Sequence, residues 1–190
     1  MLLGEKSLKP VTPSGIVVSY EPEWQGMYLE EKRRILEAIG HKVDAIEHIG
    51  STSVPGMKSK PIIDILIAVQ DLDLVASCVE PLRTIGYEYR PMNKEIIPDT
   101  EYFRKGSSGA NTHHIRMVKT GSSLWSEYIL FRDYLRNHPE ARREYEQLKE
   151  AAYEKHGRYL PLDAKRSFIE SILAKADSER QAHQTREKRS

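Results

Sequence analysis

The sequence predicts a mixed α/β (α+β) domain in which a sheet-bearing first half is followed by a helical second half. Three observations predict it. Strand-length runs at 43–49 and 62–69 are rich in Ile and Val. Trp24, Tyr28, Ile35 and Ile39 recur at spacings that keep one face of a helix apolar. Beyond Gly121 the apolar residues recur on a helical period to the end of the patterned chain.

In order, Pro10 to Pro13 reads as a linker and Ile16-Val17-Val18 as a short strand ending at Tyr20-Glu21-Pro22. The first helix starts near Trp24, with Gly40 as its C-terminal cap. Strands at 43–49 and 62–69 flank a loop of small residues. Asp71 to Thr84 is helical through Leu72, Val75, Ala76, Val79 and Leu82, and Pro81 should kink that helix or end it early. Tyr87 to Arg90 reads as a strand, while Pro91 to Asp99 carries no clear pattern. Glu101 to Lys105 and Thr112 to Val118 read as a hairpin joined by a Gly- and Ser-rich loop, 106–111. Leu124, Tyr128, Phe131 and Leu135 form one helical stripe, and Ala141, Tyr145, Leu148 and Ala152 a second, entered through His138-Pro139. A last helix begins near Pro161 and buries Phe168, Ile169, Ile172 and Leu173. The expected organisation is a linker at 1–15, one domain at 16–176 (α/β half 16–120, helical half 121–176), and a flexible, exposed tail at 177–190.

Composition bounds the partners. Lys plus Arg number 29 and Asp plus Glu 28, so net charge gives no sign of a nucleic-acid binder. No run of about 18 apolar residues would span a membrane, and Met1 to Lys9 lacks the apolar core of a signal peptide. The single cysteine, Cys78, forms no intrachain disulfide and sits in an apolar helical pattern, as fits the reducing cytoplasm.

The chemistry concentrates between Ile46 and Val69. Strand alternation puts Ile63, Ile65, Ile67 and Val69 on one face of the second strand, and Ile62, Asp64, Leu66 and Ala68 on the other. A carboxylate inside an apolar strand needs a partner. For Asp64 that partner is either Lys60 or a backbone amide, or else a divalent cation carried on a phosphate. Gly50 allows close backbone approach, and Ser51, Thr52 and Ser53 supply hydroxyls and amides, either for a phosphate or to cap a following helix. The loop is not a P-loop, because five residues separate Gly50 from Gly56 and Met57 follows. Lys60 is a candidate phosphate counter-charge, and His114 with Arg116 shares a strand face suited to an anion. His113 must point the other way, and His48 reads as a hydrogen-bonded core histidine. Arg132, Arg136 and Lys165 lie beside apolar stripes; any one of them could reach the cleft, with solvent exposure the default for a charge in a helix.

A Gly-Ser pair after a strand, with an aspartate on the next strand, resembles the nucleotidyltransferase superfamily of the polymerase-beta type. The run His48-Ile49-Gly50-Ser51-Thr52-Ser53-Val54-Pro55-Gly56, with Lys60-Pro61-Ile62-Ile63-Asp64-Ile65, resembles the GrpB-like family within it. Tyr20-Glu21-Pro22-Glu23-Trp24, His114-Ile115-Arg116, Phe131 to Arg136, Tyr145, Leu148, Lys149, Lys165 and Phe168 extend the resemblance over most of the chain. Members of that family are sometimes fused to dephospho-CoA kinase. The resemblance implies a nucleotidyltransferase-like mixed sheet with flanking helices. It also implies a nucleoside triphosphate, or another phosphorylated small molecule, held at Gly50, Ser51, Thr52 and Ser53. Mg²⁺ on Asp64, with Glu101 as a further carboxylate, would support nucleotidyl transfer in which Asp64 is catalytic. The superfamily's second carboxylate falls on Leu66, which cannot bind metal. Two other readings stand beside transfer: a non-catalytic nucleotide- or coenzyme A-related binding module, and an interaction protein acting through its helical half.

Overall fold

The structure is a computed structural model that describes residues 17–91, 99–107, 110–156 and 161–187. Its elements run α1 (Glu23–Ile39), β1 (Ala45–Ile49), β2 (Ile63–Val69), α2 (Val79–Thr84), β3 (Tyr87–Tyr89), β4 (Glu101–Ser107), β5 (Ala110–Lys119), α3 (Ser123–Asn137), α4 (Pro139–His156) and α5 (Leu162–Glu187). The strands form one mixed five-stranded sheet in the order β1-β2-β5-β4-β3, parallel only between β2 and β5. The fold is α+β, as the sequence predicts.

The period-two pattern of β2 sorts the core into two sides. Ile63, Ile65, Ile67 and Val69 join Ile115, Met117 and Phe103 beneath α1 and α2, which contribute Trp24, Tyr28, Ile35, Ile39 and Leu82. On the other side Leu66, Ile49 and Val118 pack against Leu124, Trp125, Tyr128 and Ile129 of α3. A third cluster gathers Tyr134, Leu135, Ala141, Tyr145, Phe168 and Ile172 from α3, α4 and α5 around Val54 and Met57. Those last two belong to the β1–β2 connection, so the helical half packs directly on the small-residue loop.

Several elements differ from expectation, each for a local reason. Val18 makes a single bridge to Ser59 rather than a strand, and Ile16 and the 10–13 linker lie outside the described residues. Gly40 has φ −56°, so it is no left-handed cap; the chain runs on into a 3₁₀ turn, and β1 starts only at Ala45. The 71–84 helix is split. Asp71 accepts from Asp73 N (2.9 Å) to open a 3₁₀ turn over Leu72–Cys78. A new helix then begins at Val79, which leaves Pro81 in its first turn, where a missing N–H costs nothing. The hairpin strands reach Ser107 and Ala110, beyond the expected ends. Most of 91–99 lies outside the described residues.

The expected loose tail is instead the continuation of α5 as far as Glu187. Polar anchoring replaces apolar burial there: Tyr134 Oη donates to Glu179 Oε1 (2.9 Å), and His138 Nε2 lies 3.3 Å from Glu179 Oε2. Cys78 is buried in the core. Among the described residues, no helix is long and apolar enough to cross a membrane.

Candidate functional site

The β1–β2 connection begins at Gly50, whose φ of 72° and ψ of −176° belong to a region that essentially only glycine occupies. A Cβ there would also overlap Asp64 Oδ2. A single 3₁₀ turn, Ser51–Ser53, follows in place of a helix. Two of its three hydroxyls are spent inside the loop. Thr52 Oγ1 donates to Ile62 O (3.1 Å), which leaves its lone pairs for a proton on His48 Nε2 (3.1 Å); Ser53 Oγ donates to Gly50 O (2.6 Å). Ser51 differs: its Oγ faces Lys149 Nζ of α4 at 3.2 Å.

Basic side chains of the helical half hold the loop by its carbonyls. Arg136 donates twice to Ser53 O (3.0 and 2.9 Å), Arg142 to Pro55 O (2.7 Å), and Lys149 to Lys58 O (3.0 Å). Arg132 donates to His48 O (3.0 Å) and Glu47 Oε2 (2.6 Å) at the end of β1. Arg136→Met leaves Ser53 O without its charged donor and is expected to cost about 1–2 kcal/mol in urea unfolding. A midpoint equal to that of the wild-type chain would show that the loop holds its shape without this grip.

Asp64 stands where three strands meet, paired in register with Ile49 of β1 and His114 of β5. His114 Nδ1 donates to Asp64 Oδ1 at 3.1 Å. Burial alone would raise the Asp64 carboxyl. The hydrogen bond and charge of His114, with the charges of Arg116 and Lys165, outweigh it and hold the carboxyl below its usual range. The Asp64 side chain is nevertheless 33% exposed, so it lies in a cleft open to water.

The cleft is lined by cations. The Arg116 guanidinium lies 5.4 Å from the Tyr102 ring centre, and that ring lies 5.3 Å from His114. Desolvation and then the Arg116 charge lower the pKa of Lys165 against the pull of Asp64, although Lys165 keeps exposed surface. Lys149 sits 5.0 Å over the Tyr145 ring and is lowered to about 8 by desolvation, with Lys165 adding to the shift and Glu146 opposing it. Tyr145 is raised by burial and by the Asp64 charge, which places it in electrostatic reach of the same carboxylate.

Of the candidates read from sequence, Gly50, Ser51, Asp64, His114 and Arg116 therefore converge on one cleft. Thr52 and Ser53 turn inward and shape the loop. Lys60 accepts through its backbone carbonyl from Ser59 Oγ (2.9 Å) and Ile62 N (2.8 Å). Glu101 requires a correction: it pairs with Met117, whereas its neighbour Tyr102 pairs with Arg116, so strand alternation turns Glu101 to the opposite face from Asp64. There it accepts from Tyr89 Oη. His113 is buried on that same opposite face, as alternation requires. Sequence reasoning did not assign Tyr102, Tyr145 and Lys149 to the cleft and took solvent as the default for Lys165, although Tyr145, Lys149 and Lys165 are among the residues that carry the family resemblance.

Among the described residues the donor set does not fit a two-metal centre. Magnesium requires several hard oxygens in octahedral array. Among the described residues no three His, Cys, Asp or Glu side chains are grouped to hold a metal. Asp64 is already paired with His114, the next position on its face is Leu66, and Glu101 is across the sheet.

Relatives share this architecture. The chain is 39% identical over 140 residues to UPF0157 protein YqkA of Bacillus subtilis, a match covering 74% of this chain and 40% of that protein's length. It is 37% identical to UPF0157 protein SCO7215 of Streptomyces coelicolor, covering 85% and 83% of the two chains. The crystal structure of conserved protein GrpB from Enterococcus faecalis superposes with a TM-score of 0.75 at 31% identity, over 87% of this chain and 99% of that one. A dephospho-CoA kinase of Mycobacterium tuberculosis is 31% identical over 116 residues, 60% of this chain and 27% of that protein. The Cid1 poly(U) polymerase shares the nucleotidyltransferase-like fold at 14% identity and a TM-score of 0.51, over 72% of this chain and 43% of that one. The profile for GrpB protein matches residues 15–175, and the chain belongs to the GrpB family.

Proposed function

We propose that the protein binds a nucleoside triphosphate, with the phosphates drawn to Arg116 and Lys165 beside Asp64 and with no metal held by the protein. One observation carries this reading: the charges of Arg116 and Lys165 both act on a single carboxylate in a water-accessible cleft, and burial depresses Lys165. A triphosphate offers these two side chains several acceptor oxygens and more negative charge than one carboxylate carries, through charge-assisted hydrogen bonds. The Cid1 neighbour is bound to Mg 3′-dATP, which makes a nucleoside triphosphate the first ligand to try. The lone, buried Cys78 suits a cytoplasmic protein meeting such ligands.

A second reading, Mg²⁺-dependent nucleotidyl transfer with Asp64 on the metal, is favoured by the close approach of Asp64 to Gly50. The two readings differ in the sign of one substitution. Thermal shift with ATP, GTP, CTP, UTP and dephospho-CoA, in EDTA and in Mg²⁺, separates them. Metal-free binding predicts stabilisation that persists in EDTA, reaching about 2.7 kcal/mol at a hundred times Kd. It weakens in Arg116→Gln and Lys165→Gln and strengthens in Asp64→Asn, which removes the carboxylate charge facing the phosphates. Stabilisation that needs Mg²⁺ and vanishes in Asp64→Asn establishes the second reading. No stabilisation by any of these ligands overturns both.

A further inference from the structure

We infer that Ser51 and Lys149 form a nucleophile–base pair, and that Ser51 accepts a nucleotidyl group from a nucleoside triphosphate bound in the cleft. The inference rests on the proposed triphosphate site and adds a covalent step to it. Ser51 is the one hydroxyl of its turn that the loop does not consume, and it meets an amine 98 residues away in sequence. That amine is held for the encounter. Lys149 Nζ also bonds Lys58 O at 3.0 Å and lies over the Tyr145 ring, so its head group has one position rather than many. Burial favours its neutral form, which is the form that can take a proton from a hydroxyl. Lys165 and Arg116 stand on the Asp64 side, where phosphoryl oxygens would gather negative charge. Enzymes of this fold that use two metals need them to activate the attacking hydroxyl and offset the developing charge. Here an amine and two fixed cations occupy those roles.

In the step, Ser51 Oγ attacks the α-phosphorus while its proton passes to Lys149 Nζ. The Oγ–P bond forms, the bond from the α-phosphorus to the bridging oxygen breaks, and the electron pair leaves on pyrophosphate, which needs no proton to depart. The products are a Ser51 phosphodiester, a lysine ammonium and pyrophosphate. The competing assignment is that Lys149 only pins the loop.

The test is to incubate the full chain with ATP in EDTA and follow intact mass, with peptide mapping. The expected result is an adenylyl adduct on the Ser51 peptide that is absent from Ser51→Ala. Lys149→Arg keeps the charge and the donors but cannot serve as base. At ATP concentrations that saturate its thermal shift, labelling should fall by about a hundredfold. Stabilisation of the wild-type chain by ATP without any adduct overturns the covalent step and leaves the binding reading standing. A phosphoryl adduct, an adduct on another residue, or wild-type labelling rates in Lys149→Arg also overturn it. Absence of both stabilisation and adduct overturns the step together with the site on which it rests.

Discussion

Gly50→Ala is expected to destabilise the fold by about 3–5 kcal/mol and to abolish ligand-induced stabilisation. Two costs combine. The backbone at φ 72° and ψ −176° lies in a region nearly closed to residues with a Cβ, and forcing one there costs about 1–3 kcal/mol. The new methyl would also occupy the place of Asp64 Oδ2, so the carboxylate must leave His114 or the loop must move. The loop cannot move cheaply, because Arg136, Arg142 and Lys149 hold its carbonyls and Val54 and Met57 are buried under the helices. A loss of this size is a large share of the about 5–15 kcal/mol that holds a domain folded. Gly26→Ala is the matched control: it lies within α1 with nothing within 4 Å of the added Cβ, and it should be neutral or stabilise by up to about 1 kcal/mol. Urea midpoints for the two variants decide the matter. Equal midpoints would mean that the loop is soft and that Gly50 is not the constraint on Asp64.

What could be read from the sequence follows from how local each signal is. The α1 stripe and the β2 alternation are properties of neighbouring residues, and Trp24, Ile35, Ile63 and Ile65 are all buried as their spacing requires. Gly50, Ser51 and Asp64 lie in one short stretch, so their proximity survives any arrangement of the remaining strands. Strand order and register are different in kind. That His114 would face Asp64 depends on β5 pairing in parallel with β2, and that Glu101 would face away depends on which residue of β4 opposes Arg116. Alternation separates His113 from His114 but cannot say which strand lies alongside. Lys149 and Lys165 were harder still. Each is one charge in a helix rich in charges, and only the packing of α3, α4 and α5 on Val54 and Met57 turns them toward the cleft. The persistence of α5 past Asp177 was hidden for the opposite reason, since polar ties such as those of Glu179 to Tyr134 and His138 leave no hydrophobic period to detect.

Lowering the pH from 7 to 5 is expected to remove about 4 kcal/mol of stability, through His48 and His113. Desolvation, the largest cause in both, pushes their folded pKa values down to about 4, against about 6.5 in an unfolded chain. His48 is stacked on Tyr28 and bonded to Thr52; Asp64 attracts a proton to it, while Arg136, Arg132 and His113 repel one. His113 is attracted by Glu31 and repelled by Lys105, Arg34 and His114, and Glu31 is already paired to Lys105 at 2.8 Å. The sign follows from linkage. Between the two pKa values the unfolded chain binds a proton that the folded chain refuses, so stability is full above about pH 6.5, falls as the pH drops, and levels off below about 4. Each histidine contributes about 2 kcal/mol by pH 5. Asp64 does not obscure this window, because its carboxyl is held below the ordinary range and protonates only in stronger acid. His48→Gln and His113→Gln should each remove about half of the slope in urea unfolding followed from pH 7 to 5, and the double variant should be nearly flat. A wild-type chain equally stable at both values would show that these imidazoles accept protons in place. Since His48 Nε2 bonds the same Thr52 hydroxyl that fixes the loop to Ile62, protonated His48 would then have to be accommodated beside the cleft without loosening it.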